Sequence, residues 1–137
     1  MGIYNVKALE LLEKHALDVA IAEKFLGWRL TDDPEKPGCQ RWLTDTGEKT
    51  EFGTGCGMTL FHPSEDLNVC FREIIKRLKK LDFTLICTVT GDLYTCGIYN
   101  DKQKEMAHWY DSRMGIAICK ATLKLLLRLT NEPVSIK

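Results

Sequence analysis

Between Phe83 and Tyr99 the side chains follow a period of two. Phe83, Leu85, Cys87 and Val89 alternate with Thr84, Ile86, Thr88 and Thr90, and after Gly91-Asp92 the run Leu93 to Tyr99 returns to β-forming residues. Alternation interrupted by a glycine-containing pair is the pattern of a β-hairpin. It lies between two segments of helical period. Leu67, Cys70, Phe71, Ile74, Ile75, Leu78 and Leu81 precede it, with Arg72, Lys76, Arg77, Lys79 and Lys80 on the other face. Met114, Ala117, Ile118, Ala121, Leu125 and Leu129 follow it. A hairpin between helices points to an antiparallel sheet with helices on its faces and argues against a parallel βαβ array.

The flanks extend this reading. From about Asn5 to Leu26, Leu9, Leu12, Ala16, Ala20 and Leu17, Ile21, Phe25 recur at helical spacing, which predicts one long helix. Gly27 suits its left-handed cap, and Trp28-Arg29-Leu30 starts an extended segment. The run Thr31 to Gly38 is a surface loop of breakers and charges. Gln40 to Leu43 and Lys49 to Phe52 form a second hairpin about Asp45-Thr46-Gly47-Glu48. Gly53, Gly55 and Gly57 mark a flexible loop, which lacks the Gly-Lys-Ser/Thr of a phosphate-binding loop. Pro63-Ser64-Glu65-Asp66 opens the second helix and Asp111-Ser112 the third, while Asn100 to Glu105 and the residues around His108 form loops. The expected organisation is one domain over 1–137, with a variable loop and hairpin at 31–57 and an irregular tail at 130–137.

Composition limits function. Of 137 residues, 45% are apolar and 28% charged, the balance of a globular chain. Basic and acidic side chains number 19 each, so no global field draws in long nucleic acid or an anionic membrane. The N-terminus carries no secretory pattern and no stretch reaches membrane-span length, so cytoplasmic residence is expected. Cys39, Cys56, Cys70, Cys87, Cys96 and Cys119 are then expected as thiols. No Cys-x-x-Cys occurs, and His15, His62 and His108 stand in no catalytic signature. Neither a metal site, a cofactor nor a catalytic residue is expected.

Aromatic and basic residues pair outside the helical stripes: Arg41-Trp42, Phe61-His62, and His108-Trp109-Tyr110 with Arg113. Rings stack on bases and guanidinium groups fork onto phosphates, so Arg41, Trp42, Phe61, His62, His108, Trp109 and Arg113 are candidate ligand contacts. Trp28, directly after a helix cap, is assigned to the core.

Three segments resemble, in order, the phage ABA-sandwich family. They are Ala16-Leu17-Asp18-Val19-Ala20-Ile21-Ala22-Glu23-Lys24-Phe25-Leu26-Gly27-Trp28, Phe61-His62-Pro63-Ser64-Glu65-Asp66-Leu67, and Ser112-Arg113-Met114-Gly115-Ile116-Ala117-Ile118-Cys119-Lys120-Ala121. The similarity runs from about Ala16 to Leu126, with the loop from Asp32 to Gly57 departing from the family pattern. It implies an α+β fold in which three helices sandwich an antiparallel sheet (α/β/α), in a phage or prophage protein active in the host cell cytoplasm. The family carries no assigned activity to transfer; by analogy of origin and size, and from the aromatic and arginine pairs without catalytic residues, the expectation is a non-enzymatic anti-defence sponge that sequesters a cyclic nucleotide messenger, with its pockets between protomers of a symmetric homo-oligomer. The alternative is a protein-binding inhibitor or structural phage component that uses an apolar helix face.

Overall fold

The computed structural model describes residues 6–12, 14–54 and 58–131, with side chains over 9–12, 14–54 and 58–130. Gly55, Cys56, Gly57 and the tail beyond 131 lie outside the described residues. The fold is α+β. Helices α1 (Val6–Leu11) and α2 (Lys14–Ala20) lead into a π-helical turn, Ile21–Phe25. Strands β1 (Arg29–Asp32), β2 (Gln40–Leu43) and β3 (Lys49–Thr54) follow. Helix α3 (Leu67–Val69) runs through a second π-helical stretch, Cys70–Ile75, into α4 (Lys76–Lys80). Strands β4 (Thr84–Thr90), β5 (Leu93–Tyr99) and β6 (Glu105–Asp111) precede α5 (Met114–Asn131). No helix among the described residues is long and apolar enough to cross a membrane.

The strands form two three-stranded antiparallel sheets, β1-β2-β3 and β4-β5-β6, where the sequence predicted one. The division follows from a strand missing in the expectation. Glu105–Asp111, expected as loop, pairs along β5 and completes a second sheet without help from β1–β3. Both hairpins form where the pattern put them. Thr90 pairs with Leu93 around Gly91, which takes φ 64°, the left-handed backbone that a two-residue loop needs.

Helix α5 packs along β5 and β6 on one side and meets α1, α2 and both π-helical stretches on others. Its stripe is therefore broader than a single face: Ile116, Ala117, Ile118, Cys119, Ala121, Thr122, Leu123 and Leu125 are all buried. The buried hydroxyl of Thr122 donates to Ile118 O at 2.8 Å, which removes the cost of an unmet polar group. Within the second helical segment the π-helical stretch shifts the side-chain phase. Val69, Cys70, Ile74 and Leu78 are buried, whereas Leu67, Phe71 and Leu81, expected on the same face, are exposed. The first helix, expected as one, is described as α1 to Leu11 and α2 from Lys14, with Glu13 between them outside the described residues. Its C-terminus does follow expectation, with Gly27 at φ 75° and Trp28 N donating back to Ala22 O at 2.8 Å.

The link between the two sheets is pinned from inside. Asp18 of α2, only 3% exposed, accepts hydrogen bonds from Ser64 N at 2.9 Å and Ser64 Oγ at 3.0 Å. On the other side Gly115 of α5 lies against the carbonyl groups of Pro63 and Ser64. A methyl group there would come within 2.9 Å of Pro63 O and 2.8 Å of the Ser64 carbonyl carbon, both rigid backbone. After this pin, Asp66 caps α3 by accepting from Asn68 N and Val69 N.

Two outcomes follow. Gly115→Ala forces α5 away from the 63–64 backbone and should lower unfolding free energy by about 1–3 kcal/mol in a urea titration, the usual cost of overpacking; an unchanged midpoint would show that the contact is not close. The second concerns protonation. Burial pushes the Asp18 carboxyl up to about 6 from 3.8, against the opposing effects of the Ser64 hydrogen bonds and the nearby His62. Between those pH values the folded chain holds a proton that the unfolded chain has released, so this contribution to stability is complete below pH 3.8 and is lost as pH rises through 6. The loss is at most about 3 kcal/mol. Subtracting the pH–stability curve of Asp18→Asn from that of the wild type should leave a difference that declines across this window, and a flat difference would refute the raised value.

Candidate functional site

The candidate contacts expected from the sequence separate into three places. Arg41 and Trp42 lie on β2. Trp42 is 6% exposed and packs into the core, so it offers no ring face to a ligand, contrary to expectation. Arg41 is committed to the fold: Nε and Nη2 donate to Asp33 Oδ2 at 3.3 and 3.2 Å, and Nη1 to Thr50 O at 2.7 Å. Asp33 also accepts from Glu35 N at 3.0 Å; that bond, with Arg41, holds its carboxyl below the usual range despite burial. The pair fastens the 33–39 loop to the sheet. A breaker-rich sequence correctly indicates a loop here but hides the ion pair that immobilises its base.

Phe61 and His62 belong to the connection between sheets. Phe61, 4% exposed, joins Trp28 and Phe52 in an aromatic cluster with centroids 4.9 and 5.1 Å away, so it too is core and not a ligand contact. Trp28 is core, as its position after the cap predicts. His62 is half-buried beside the Asp18–Ser64 pin, and its Nδ1 is buried with no hydrogen-bond partner among the described residues.

The remaining three residues gather at the edge of the second sheet. His108 and Trp109 lie within β6, where a loop was expected, and Arg113 just before α5. Strand pleating sends neighbours to opposite faces. Trp109 is opposite the buried Cys96 and so turns toward α5, whereas His108 and Tyr110, opposite Gly97 and Thr95, turn to the outer face. Helix α5 completes the arrangement with residues that the sequence reading had not singled out. The Nζ atoms of Lys120 and Lys124 stand 5.7 and 5.8 Å from the centroid of the half-buried Trp109 ring, within cation–π range. Their spacing of four on a helix beside an indole was the signal available, but it reads equally as a solvated face.

Around this indole an open cleft of about 380 Å³ is lined by Glu10, His108, Trp109, Tyr110 and Lys124. Lys120 Nζ donates to Glu10 O at 3.2 Å and so ties α1 to the cleft. Lys124 Nζ donates to His108 O at 3.5 Å. His108 Nδ1 stands 3.4 Å from Glu105 Oε1. Arg113 forks onto Asp111, with Nε donating at 3.0 Å and Nη2 at 3.4 Å. Partial burial alone would raise the Asp111 carboxyl, but the Arg113 hydrogen bonds and charge outweigh it and hold the group low. The arrangement can therefore offer the Lys124 ammonium group beside the half-buried Trp109 indole to an anionic, partly aromatic ligand.

The cysteines depart from the expectation of uniform thiols. Cys39 is disulfide-bonded, while Cys70, Cys87, Cys96 and Cys119 are free. Whether two sulfurs meet is set by backbone geometry, which the absence of a secretory pattern does not report. Cys56 lies outside the described residues. Among the described residues no group of three or more His, Cys, Asp or Glu side chains is placed to hold a metal ion.

No curated protein and no solved structure matches the chain. The family model described as the phage ABA sandwich domain does match, over residues 19–123. That span contains the Asp18-adjacent helix end, both sheets and most of the buried part of α5, so the chain belongs to the phage ABA sandwich domain family.

Proposed function

We propose that this phage-family protein binds a nucleotide-type ligand at the β6–α5 edge and holds it without turning it over, as a sponge for a cyclic nucleotide messenger of host immunity. The observation that carries the reading is the placement of the Lys120 and Lys124 ammonium groups over Trp109, beside Tyr110, which is 59% exposed, in an open cleft. A base needs an aromatic face and a phosphate needs a cation within a few ångströms of it. Trp109, half-buried in the cleft wall, supplies the first and Lys124 the second. At about 380 Å³ the cleft falls in the range of small-molecule sites. Because it is open, a second copy closing over it belongs to the same proposal and would make the pocket one between protomers.

A protein partner is the second reading, and one observation favours it. The outer face of the second sheet leaves Ile86, Leu93 and Tyr110 exposed. Apolar side chains along one sheet face are the usual material of a protein contact.

Isothermal titration against cyclic di- and trinucleotides and cyclic ADP-ribose isomers decides between them. We expect binding that weakens as salt rises, with the ligand released intact on heating and complex mass reporting the copy number. Lys124→Ala should weaken binding about 10-fold or more, the value of a charged hydrogen bond, while Lys79→Ala, remote on α4, should not. Silence across the panel overturns the nucleotide reading and turns attention to the outer face. Chemically altered ligand overturns the non-enzymatic part alone.

A further inference from the structure

Cys87 and Cys96 face each other across the β4–β5 ladder in direct register. Opposed side chains on one face of an antiparallel pair have Cβ atoms about 4.5–5.5 Å apart, only slightly beyond the reach of a disulfide. Here the Sγ atoms themselves are 3.0 Å apart, so about 1 Å of approach separates the pair from a covalent bond. The two thiols are not equivalent. Cys87 is half-buried, whereas Cys96 is fully enclosed between the sheet and α5. The hydrogen bond between them favours the Cys87 thiolate and disfavours that of Cys96, which burial disfavours further. Behind Cys96 the thiol of Cys119 is also pushed up, by burial first and then by Cys70, so the interior sulfurs are poor nucleophiles.

We infer that Cys87 and Cys96 are a redox modification site, in which a low-molecular-weight disulfide of the glutathione class converts the pair to a reversible cross-strand disulfide. The accessible Cys87 thiolate attacks one sulfur of the small disulfide, forming a mixed disulfide and expelling one small thiolate, which takes up a proton. Cys96 sulfur then attacks Cys87 Sγ, and its proton passes to the small thiolate that departs from Cys87. The mixed bond breaks and the second small thiolate leaves as a thiol, carrying that proton. Two protein thiols lose two electrons and one small disulfide becomes two thiols. The new bond would close only the hairpin from 87 to 96, whose two strands are already paired along their length. The bond therefore asks for about 1 Å of local approach and no change of strand register. Because Cys96 is opposite Trp109 in the next strand, the modified sulfur would lie one strand from the indole of the cleft.

The test equilibrates the native protein in oxidised-to-reduced glutathione ratios, quenches with an alkylating agent and maps the peptides by mass spectrometry. The expected result is loss of two alkylated thiols per chain, both in the Cys87–Cys96 peptide pair, restored by excess reduced glutathione. A bond already present in the purified protein and cleaved by the same reductant is equally supportive. Cys96→Ser should stop at a mixed disulfide on Cys87, and Cys87→Ser should form neither species. The wild-type map remains decisive if either variant fails to fold. Thiols unchanged across the whole range in protein that remains folded overturn the inference, as does a bond that instead joins Cys70 to Cys119.

Discussion

The Asp18 carboxylate inside the protein accepts both the amide and the hydroxyl of Ser64, and the rest of the architecture is arranged around that contact. Residues 46 positions apart are joined by it, so α2 is fixed against the connection that leaves the first sheet. A buried carboxylate is costly unless its oxygens are engaged, and here each oxygen has one donor. The connection can approach because position 115 has no side chain: Gly115 lets α5 lie directly on the Pro63 and Ser64 carbonyl groups. Three segments distant in sequence thus meet with two hydrogen bonds and a missing methyl group. Asp66 next starts the second helical segment, so its origin is set by the same pin.

Local structure was largely legible in the sequence because local rules write it. The Phe83–Tyr99 alternation, Gly91, Gly27 and the acidic start at Asp66 each correspond to a backbone requirement within a few residues, and each appears where expected. What could not be read was decided by contacts remote in sequence. Glu105–Asp111 contains Glu, His and Asp and no clean alternation, yet pairing with β5 makes it a strand. The breadth of burial on α5 depends on how many neighbours surround it, and periodicity reports only one face. The π-helical stretches change phase in midcourse, so a stripe counted at 3.6 residues assigns Phe71 and Leu81 to the wrong side.

The site was legible to a lesser degree, for a related reason. Adjacency of an aromatic and a basic residue in sequence is a poor guide to adjacency in space when both lie in a strand, since the pleat parts them. Arg41 and Trp42 show this directly: the guanidinium binds Asp33 while the indole enters the core. Pairings that do place cations over a ring join residues distant in sequence: Trp109 with Lys120 and Lys124 links a strand to a helix across more than ten positions, as does Phe52 with Arg72. Adjacency in sequence singles out His108 and Trp109 as candidates, whereas the lysines beside the indole are set by the fold.

The location of that cluster also follows from what an edge strand needs. β6 ends its sheet, so its outward carbonyl groups would invite pairing with another chain. Helix α5 sets basic side chains on carbonyl groups of this strand: Arg128 Nη1 donates to Met106 O at 3.0 Å and Glu105 O at 3.3 Å, and Lys124 to His108 O at 3.5 Å. These contacts differ in strength. Lys120, almost wholly buried and bonded to Glu10 O at 3.2 Å, is held as part of the fold. The bond from Lys124 is at the limit of hydrogen-bond length, so an arriving anion displaces little by taking that ammonium group. A charge set on a carbonyl group of the edge strand is thereby the one most easily redirected to a ligand, and that strand becomes the wall of the cleft.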